Sequence, residues 1–161
     1  LLKALRIVVD IHPEVILEIY GDGSERKRIE QLIRDLNLEE NVQLKGFCNN
    51  VDERIVNAYM YVCTSNYEGL SNALLESMAM GLAVVSTDSS GGGAREVIQD
   101  GINGYLVPVN DEVQLSEKII KLIENPEMAI AMGQKAMEIR DELCEVTVCD
   151  EWEKIINQEN K

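Results

Sequence analysis

Two glutamates, Glu68 and Glu76, stand with seven residues between them in the run Glu68-Gly69-Leu70-Ser71-Asn72-Ala73-Leu74-Leu75-Glu76. Ser71 and Asn72 are both suited to cap a helix, because a short polar side chain accepts from the unpaired amides of the first turn. Leu74, Leu75, Met78 and Ala79 follow at helical spacing, and Gly81 supplies a stop. Glu68 then precedes the helix and Glu76 lies about a turn inside it. The amides of residues 70 to 72 sit between the two carboxylates, at the positive end of the helix dipole, where anions bind. A carboxylate on either side can accept from hydroxyl groups. A nucleotide-sugar carries ribose, diphosphate and sugar in that order, and fits such an arrangement.

The elements that must hold this segment alternate along the chain. Helices are expected at residues 1–9, 24–36 (capped by Ser24), 52–58, 94–98, 111–124, 126–143 and 146–157. Short apolar strands are expected at 15–20, 42–44, 60–64, 83–87 and 104–107. Unbroken apolar strands alternating with helices predict an α/β fold, a Rossmann-like parallel sheet with helices on both faces. Gly21-Asp22-Gly23, Gly46, Gly69 and Gly91 to Gly93 all follow strand ends. In an open α/β sheet that edge binds ligands. Gly91 to Gly93 read equally well as a plain flexible loop. No internal boundary, repeat or low-complexity segment is visible, so residues 1–161 read as one domain.

Composition narrows the function classes. The 161 residues suffice for one domain with a core. A formal net charge of −14 repels phosphate backbones and anionic lipids, and 4% aromatics leaves few stacking platforms, so no nucleic-acid partner is expected. No apolar run approaches the length of a transmembrane segment. Cys48, Cys63, Cys144 and Cys149 form no CxxC pair, and His12 is the sole histidine, so no metal site is expected. The thiols read as reduced, in a cytosolic setting. His12 reads as structural, closing a turn before a strand. Trp152 reads as a packing anchor for the last helix, and Arg26-Lys27-Arg28 as a solvated helix face with one member turned to the ligand at most.

Four stretches carry a family resemblance: HPEVILEIYGDGSE, NVQLKGF, SNYEGLSNALLESMAMGLAVVSTDSSGG and DGINGYLVPVND, spanning roughly residues 12–140. In this order they resemble the C-terminal, donor-binding half of retaining glycosyltransferases of the GT-B fold, family 4 (glycosyl transferases group 1). The glutamate pair with Gly69 is the specific element. The resemblance implies that Glu68 lies beside the transferred sugar as the catalytic carboxylate and that Glu76 binds the ribose. It implies that Gly69, Leu70, Ser71 and Asn72 hold the diphosphate, that Phe47, Cys48 and Asn49 contact the base through their backbone, and that Gly21 lies close to the donor. No cofactor or metal is implied. UDP is the first expectation for the nucleotide and GDP the second, on family frequency.

The resemblance further implies a fragment of a two-domain enzyme, inactive alone, whose partner is a missing N-terminal acceptor-binding domain. It implies work on cell-surface polysaccharide or glycoconjugate in the cytoplasm, with any membrane contact made through the other half. Relatives carry an arginine, a lysine and a central strand ahead of the first helix, and this chain begins after all three. A sheet without its middle strand leaves a gap and unpaired backbone groups, so disordered leading residues or a rearranged edge are expected. The alternatives are a stand-alone donor-binding subunit of a split transferase and a nucleotide-sugar epimerase. The single histidine weighs against the epimerase. A dinucleotide-binding domain ranks last, because no G-x-G-x-x-G follows a strand.

Overall fold

A computed structural model of the chain describes residues 1–159. Five strands alternate with nine helices among these residues. They are α1 (Leu2–Ile11), β1 (Leu17–Tyr20), α2 (Arg26–Asp35), β2 (Val42–Gly46), α3 (Val51–Ile55), β3 (Met60–Cys63) and α4 (Asn72–Ala79). Then come β4 (Ala83–Thr87), α5 (Gly93–Val97), β5 (Tyr105–Val107), α6 (Glu112–Glu124), α7 (Pro126–Ala136), α8 (Ile139–Glu142) and α9 (Glu145–Glu159). Every strand pair is parallel, as a chain of strand–helix crossovers requires.

The sheet is in two pieces. One has the order β1-β2 and the other β3-β4-β5. The outer edges of β1 and β3 face each other across a cleft of about 940 Å³, lined by Val15 to Tyr20 on one side and Tyr59 to Val62 on the other. The gap expected from the sequence is therefore present. Neither expected remedy is: the leading residues are a helix, and neither edge has re-paired with another strand among the described residues.

What holds the two pieces together is α1. Its Ala4 and Val8 enter a core with Val85, Val107, Leu115, Ile119, Leu122 and Met132. Its Leu2, Leu5 and Val9 enter another with Ile33, Leu38 and Val42. Apolar residues on two adjoining stripes let one helix bridge both sheets. All five residues of β4 are buried. Alternation sends Ala83 and Val85 to one face, and Val84 to the other with Leu74, Met78, Ala94 and Ile98.

Several local expectations are corrected. Ser24 does not cap α2, whose N-cap is Glu25 with no side-chain bond. The Arg26 amide donates instead to the Gly23 carbonyl at 3.1 Å. The helix expected over 126–143 breaks after Ala136 and resumes as α8, because the backbone tightens at Met137 and Glu138, where Arg140 donates to the Met137 carbonyl at 3.1 Å. Trp152 is 62% exposed on α9, a helix whose Val146 and Ile155 are exposed as well. His12 does close α1, its amide donating to the Val8 carbonyl at 2.8 Å. The ring stands between Glu14 and Glu124, at 3.6 and 3.4 Å.

One glycine outside the turns is fixed by space. A Cβ on Gly133 of α7 would overlap the Gly81 carbonyl, and Gly81 itself has φ 82°. Alanine gains about 1 kcal/mol of helix propensity over glycine. Overpacking against backbone costs about 1–3 kcal/mol, and a carbonyl cannot rotate aside as a side chain can. Gly133→Ala is therefore expected to lower the unfolding midpoint. A raised midpoint in chemical denaturation would mean that α7 shifts freely.

Candidate functional site

A parallel sheet puts the C-terminal ends of all its strands on one edge. Gly21 follows β1 there, Phe47, Cys48 and Asn49 follow β2, and the segment carrying Glu68 and Glu76 follows β3. Gly21 has φ 126°, and its amide donates to the Gly46 carbonyl at 2.8 Å. That positive φ turns the chain off the sheet at a conformation glycine adopts without strain. Phe47 is 79% exposed.

Ser71 is the residue that caps α4. Its backbone is extended and its hydroxyl accepts from the Leu74 amide at 3.5 Å. The Leu75 amide reaches the Ser71 carbonyl at 3.1 Å. For the amides of Gly69, Leu70, Ser71, Asn72 and Ala73 no intramolecular acceptor exists among the described residues. Five successive donors are thus open at the positive end of an eight-residue helix.

The loop bearing Glu68 is fastened to the end of β4. Ser65 donates to Glu68 Oε2 at 3.1 Å, Thr87 Oγ1 donates to the Ser65 carbonyl at 2.7 Å, and Ser89 Oγ donates to the Glu68 carbonyl at 3.4 Å. Glu68 is half-buried under this bracing. Glu76 is exposed and lines the cleft between the sheets, with no ion pair or hydrogen bond to its carboxylate among the described residues. The two carboxylates share the neighbourhood of Tyr61. Burial, then Cys63, then the charges of Glu68 and Glu76 push its hydroxyl well above the ordinary tyrosine range.

The sequence reading missed Tyr61, Ser65, Thr87 and Ser89. Ser65, three residues before Glu68, was the available signal. The others reach the loop only through the sheet.

The structure brings Glu68, Gly69 to Asn72 and Glu76 together on the three-stranded piece. Gly21 and Phe47 to Asn49 share the same edge on the two-stranded piece, across the cleft. No hydrogen bond or ion pair joins the two groups among the described residues. Three cations of this edge are engaged by carboxylates. Arg95 holds Asp88 through a two-pronged contact at 2.7–2.9 Å, Arg26 lies 3.0 Å from Glu30 and 3.6 Å from Asp22, and Lys45 lies 2.8 Å from Glu18. Lys27 is exposed at the start of α2, and its ammonium makes no hydrogen bond or ion pair among the described residues. The four cysteines are unpaired. Among the described residues no three His, Cys, Asp or Glu side chains converge as a metal site would require, and no helix is long and apolar enough to cross a membrane.

Tyr61 gives a pH-dependent prediction. The unfolded chain ionises this phenol near pH 10, whereas the folded chain resists. Ionisation therefore favours unfolding, and stability should fall as pH rises past about 10. Tyr61→Phe should flatten that fall in denaturation curves taken from about pH 9 to 11. An unchanged slope would count against the neighbourhood described here.

The sequence profile of the family described as Glycosyl transferases group 1 matches residues 1–139. The chain is 30% identical over 156 residues to a poly(glycerol-phosphate) alpha-glucosyltransferase of Bacillus subtilis, covering 97% of this chain and 23% of that protein. It is 32% identical over 158 residues to a poly(ribitol-phosphate) alpha-N-acetylglucosaminyltransferase of Staphylococcus aureus, covering 98% and 32%. The chain thus spans about a quarter to a third of the length of these relatives. Among solved structures it resembles a mutant of S. aureus TarM in complex with fondaparinux, alpha-GlcNAc-glycerol and UDP. The TM-score is 0.88 at 31% identity, over 96% of this chain and 31% of that one.

Proposed function

The chain belongs to the glycosyl transferases group 1 family, and from that premise we propose that it is the donor-binding part of a retaining glycosyltransferase acting on a cell-surface polymer. The observation that carries this reading is the run of open amides from Gly69 to Ala73 between Glu68 and Glu76. In it, the amides receive the diphosphate, Glu76 accepts from the ribose hydroxyls and Glu68 accepts from hydroxyls of the transferred sugar. Gly21 and the backbone of Phe47 to Asn49 face the base. UDP is the proposed nucleotide, supported by its presence in the TarM complex at 31% identity. The polyol-phosphate polymers in the names of both relatives support a polymeric acceptor. That acceptor is held by a further, acceptor-binding domain of the whole protein, and transfer takes place in the cytoplasm.

The reaction breaks the bond from the anomeric carbon to the diphosphate oxygen and forms one to an acceptor hydroxyl on the same face. The departing phosphate oxygen, adjacent on that face, takes the hydroxyl proton. Charge grows on that oxygen as the sugar becomes oxocarbenium-like, and donors fixed in advance stabilise it best. The open amides are the donors this chain contributes, and the step as proposed needs no metal.

Calorimetric titration of the full chain with UDP and with GDP tests the reading. One nucleotide is expected to bind selectively. Binding of neither would refute the donor site.

A further inference from the structure

Gly91, Gly92 and Gly93 have no role in the donor site described so far, yet they touch it. A Cβ on Gly91 would overlap the carbonyl of Glu68, and one on Gly93 would overlap the carbonyl of Gly69. In both cases the obstacle is backbone. Gly92 is of another kind: its φ is 78°, and a Cβ there would meet nothing within 4 Å. Two of the three glycines are therefore required by contact with the Glu68 loop, and the middle one by its own conformation.

The contact fixes more than position. No cis peptide occurs among the described residues, and in a trans unit the carbonyl and the following amide point in opposite directions. A Cβ on Gly91 would meet the Glu68 carbonyl oxygen and carbon together, with the Gly69 nitrogen at 3.0 Å, so that peptide unit lies side-on to the glycine and its N–H runs across the contact and not into it. The Gly69 carbonyl and the Leu70 nitrogen would both be met by a Cβ on Gly93, so this second peptide unit lies flat against that glycine in the same manner. A Cβ on Gly69 would meet nothing within 4 Å, so the outer side of this loop is open. Two successive peptide planes set against one stop have their two amide directions fixed together, which is what an anion-binding concavity requires. The glycine loop is itself pinned, with Asp88 before it gripped by Arg95 on α5 at 2.7–2.9 Å.

We propose that Gly91 and Gly93 are positioning residues for the donor diphosphate: their bare Cα atoms form the stop against which the Glu68–Gly69 and Gly69–Leu70 peptide planes are set. The inference rests on the donor-site reading above. Between Glu76 and Glu68, the amides of Gly69 and Leu70 lie nearest the sugar end, so the phosphate they orient is the distal one. UDP has that phosphate and UMP lacks it.

The test compares Gly91→Ala, Gly93→Ala and Gly92→Ala in the full chain, with UDP and UMP as probes. Gly91→Ala and Gly93→Ala should weaken UDP by about tenfold or more, the size expected for misaligned hydrogen bonds to a charged group, and leave UMP within about threefold. Gly92→Ala should lower the thermal midpoint through its strained φ and keep both affinities within about threefold. An unchanged UDP-to-UMP ratio in Gly91→Ala and Gly93→Ala would overturn the proposal. Whether or not those variants fold, the amide resonances of Gly69 and Leu70 in the wild-type protein should shift with UDP and not with UMP. Their failure to respond while UDP binds would overturn it equally. A wild type that binds neither UDP nor GDP instead removes the donor-site reading beneath it.

Discussion

Glu68→Gln is expected to cut sugar transfer by the full protein by about a hundred- to thousandfold while UDP affinity stays within about threefold. A carboxylate accepting from two sugar hydroxyls contributes roughly 1.5–3 kcal/mol per bond, and about 1.4 kcal/mol is a factor of ten in rate. Glutamine keeps the size, and its amide oxygen can still accept from Ser65, which lies 3.1 Å from Glu68 Oε2. The loop should therefore hold its shape. What glutamine removes is the negative charge beside a ring that becomes positive in the transition state. The loss should fall on kcat more than on KM, because that interaction grows as the bond breaks. Equal transfer by the variant and the wild type would dismiss Glu68 from the chemistry.

Glu76→Ala should act on the other end of the donor. Its carboxylate is exposed at the cleft with no intramolecular partner among the described residues, so removal costs the fold little. The ribose loses one or two bonds to a charged acceptor, worth about ten- to a hundredfold in UDP affinity. Free sugar should be unaffected. The thermal midpoint without ligand should match the wild type, while stabilisation by saturating UDP shrinks. A UDP affinity unchanged in Glu76→Ala would break the assignment of the ribose to this residue. The order of ribose, diphosphate and sugar along the loop would then have to be redrawn.

The two variants together separate binding from chemistry. Glu76→Ala weakens the nucleotide and leaves the sugar contacts in place, whereas Glu68→Gln does the reverse. Ser65→Ala lies between them. It removes the hydroxyl that holds Glu68, and should lower transfer less than Glu68→Gln does, because the carboxylate remains but is less firmly placed.

Much of this site was legible along the chain because its logic is local. A cap, a helix face and a stop occupy a dozen residues, and Ser71, Leu74, Met78 and Gly81 each do what their spacing implies. The strand at 83–87 is read at its observed bounds, since an apolar run buried on both faces has no ambiguous end. Other readings failed where local preference was overruled. Ser24 is a good cap by type, but the turn after Gly23 closes through the backbone one residue later. The helix expected over 126–143 is likewise interrupted after Ala136, where the backbone tightens into a shorter-range turn.

The sequence by itself determined the alternation of strands and helices, the shared edge on which the glycine turns fall, and the segment in which Glu68 and Glu76 flank a capped helix start. Periodicity and capping depend on neighbours within a few residues, so they can be read in one dimension. Only the tertiary structure decided that α1 bridges the two pieces of the sheet, that Tyr61 lies near both carboxylates, and that Gly91 and Gly93 press on the Glu68 loop. Each of these is an approach between residues far apart in the chain. Its energy comes from burial and from backbone fitting backbone, and nothing in the spacing of residues along the chain records which surfaces will meet.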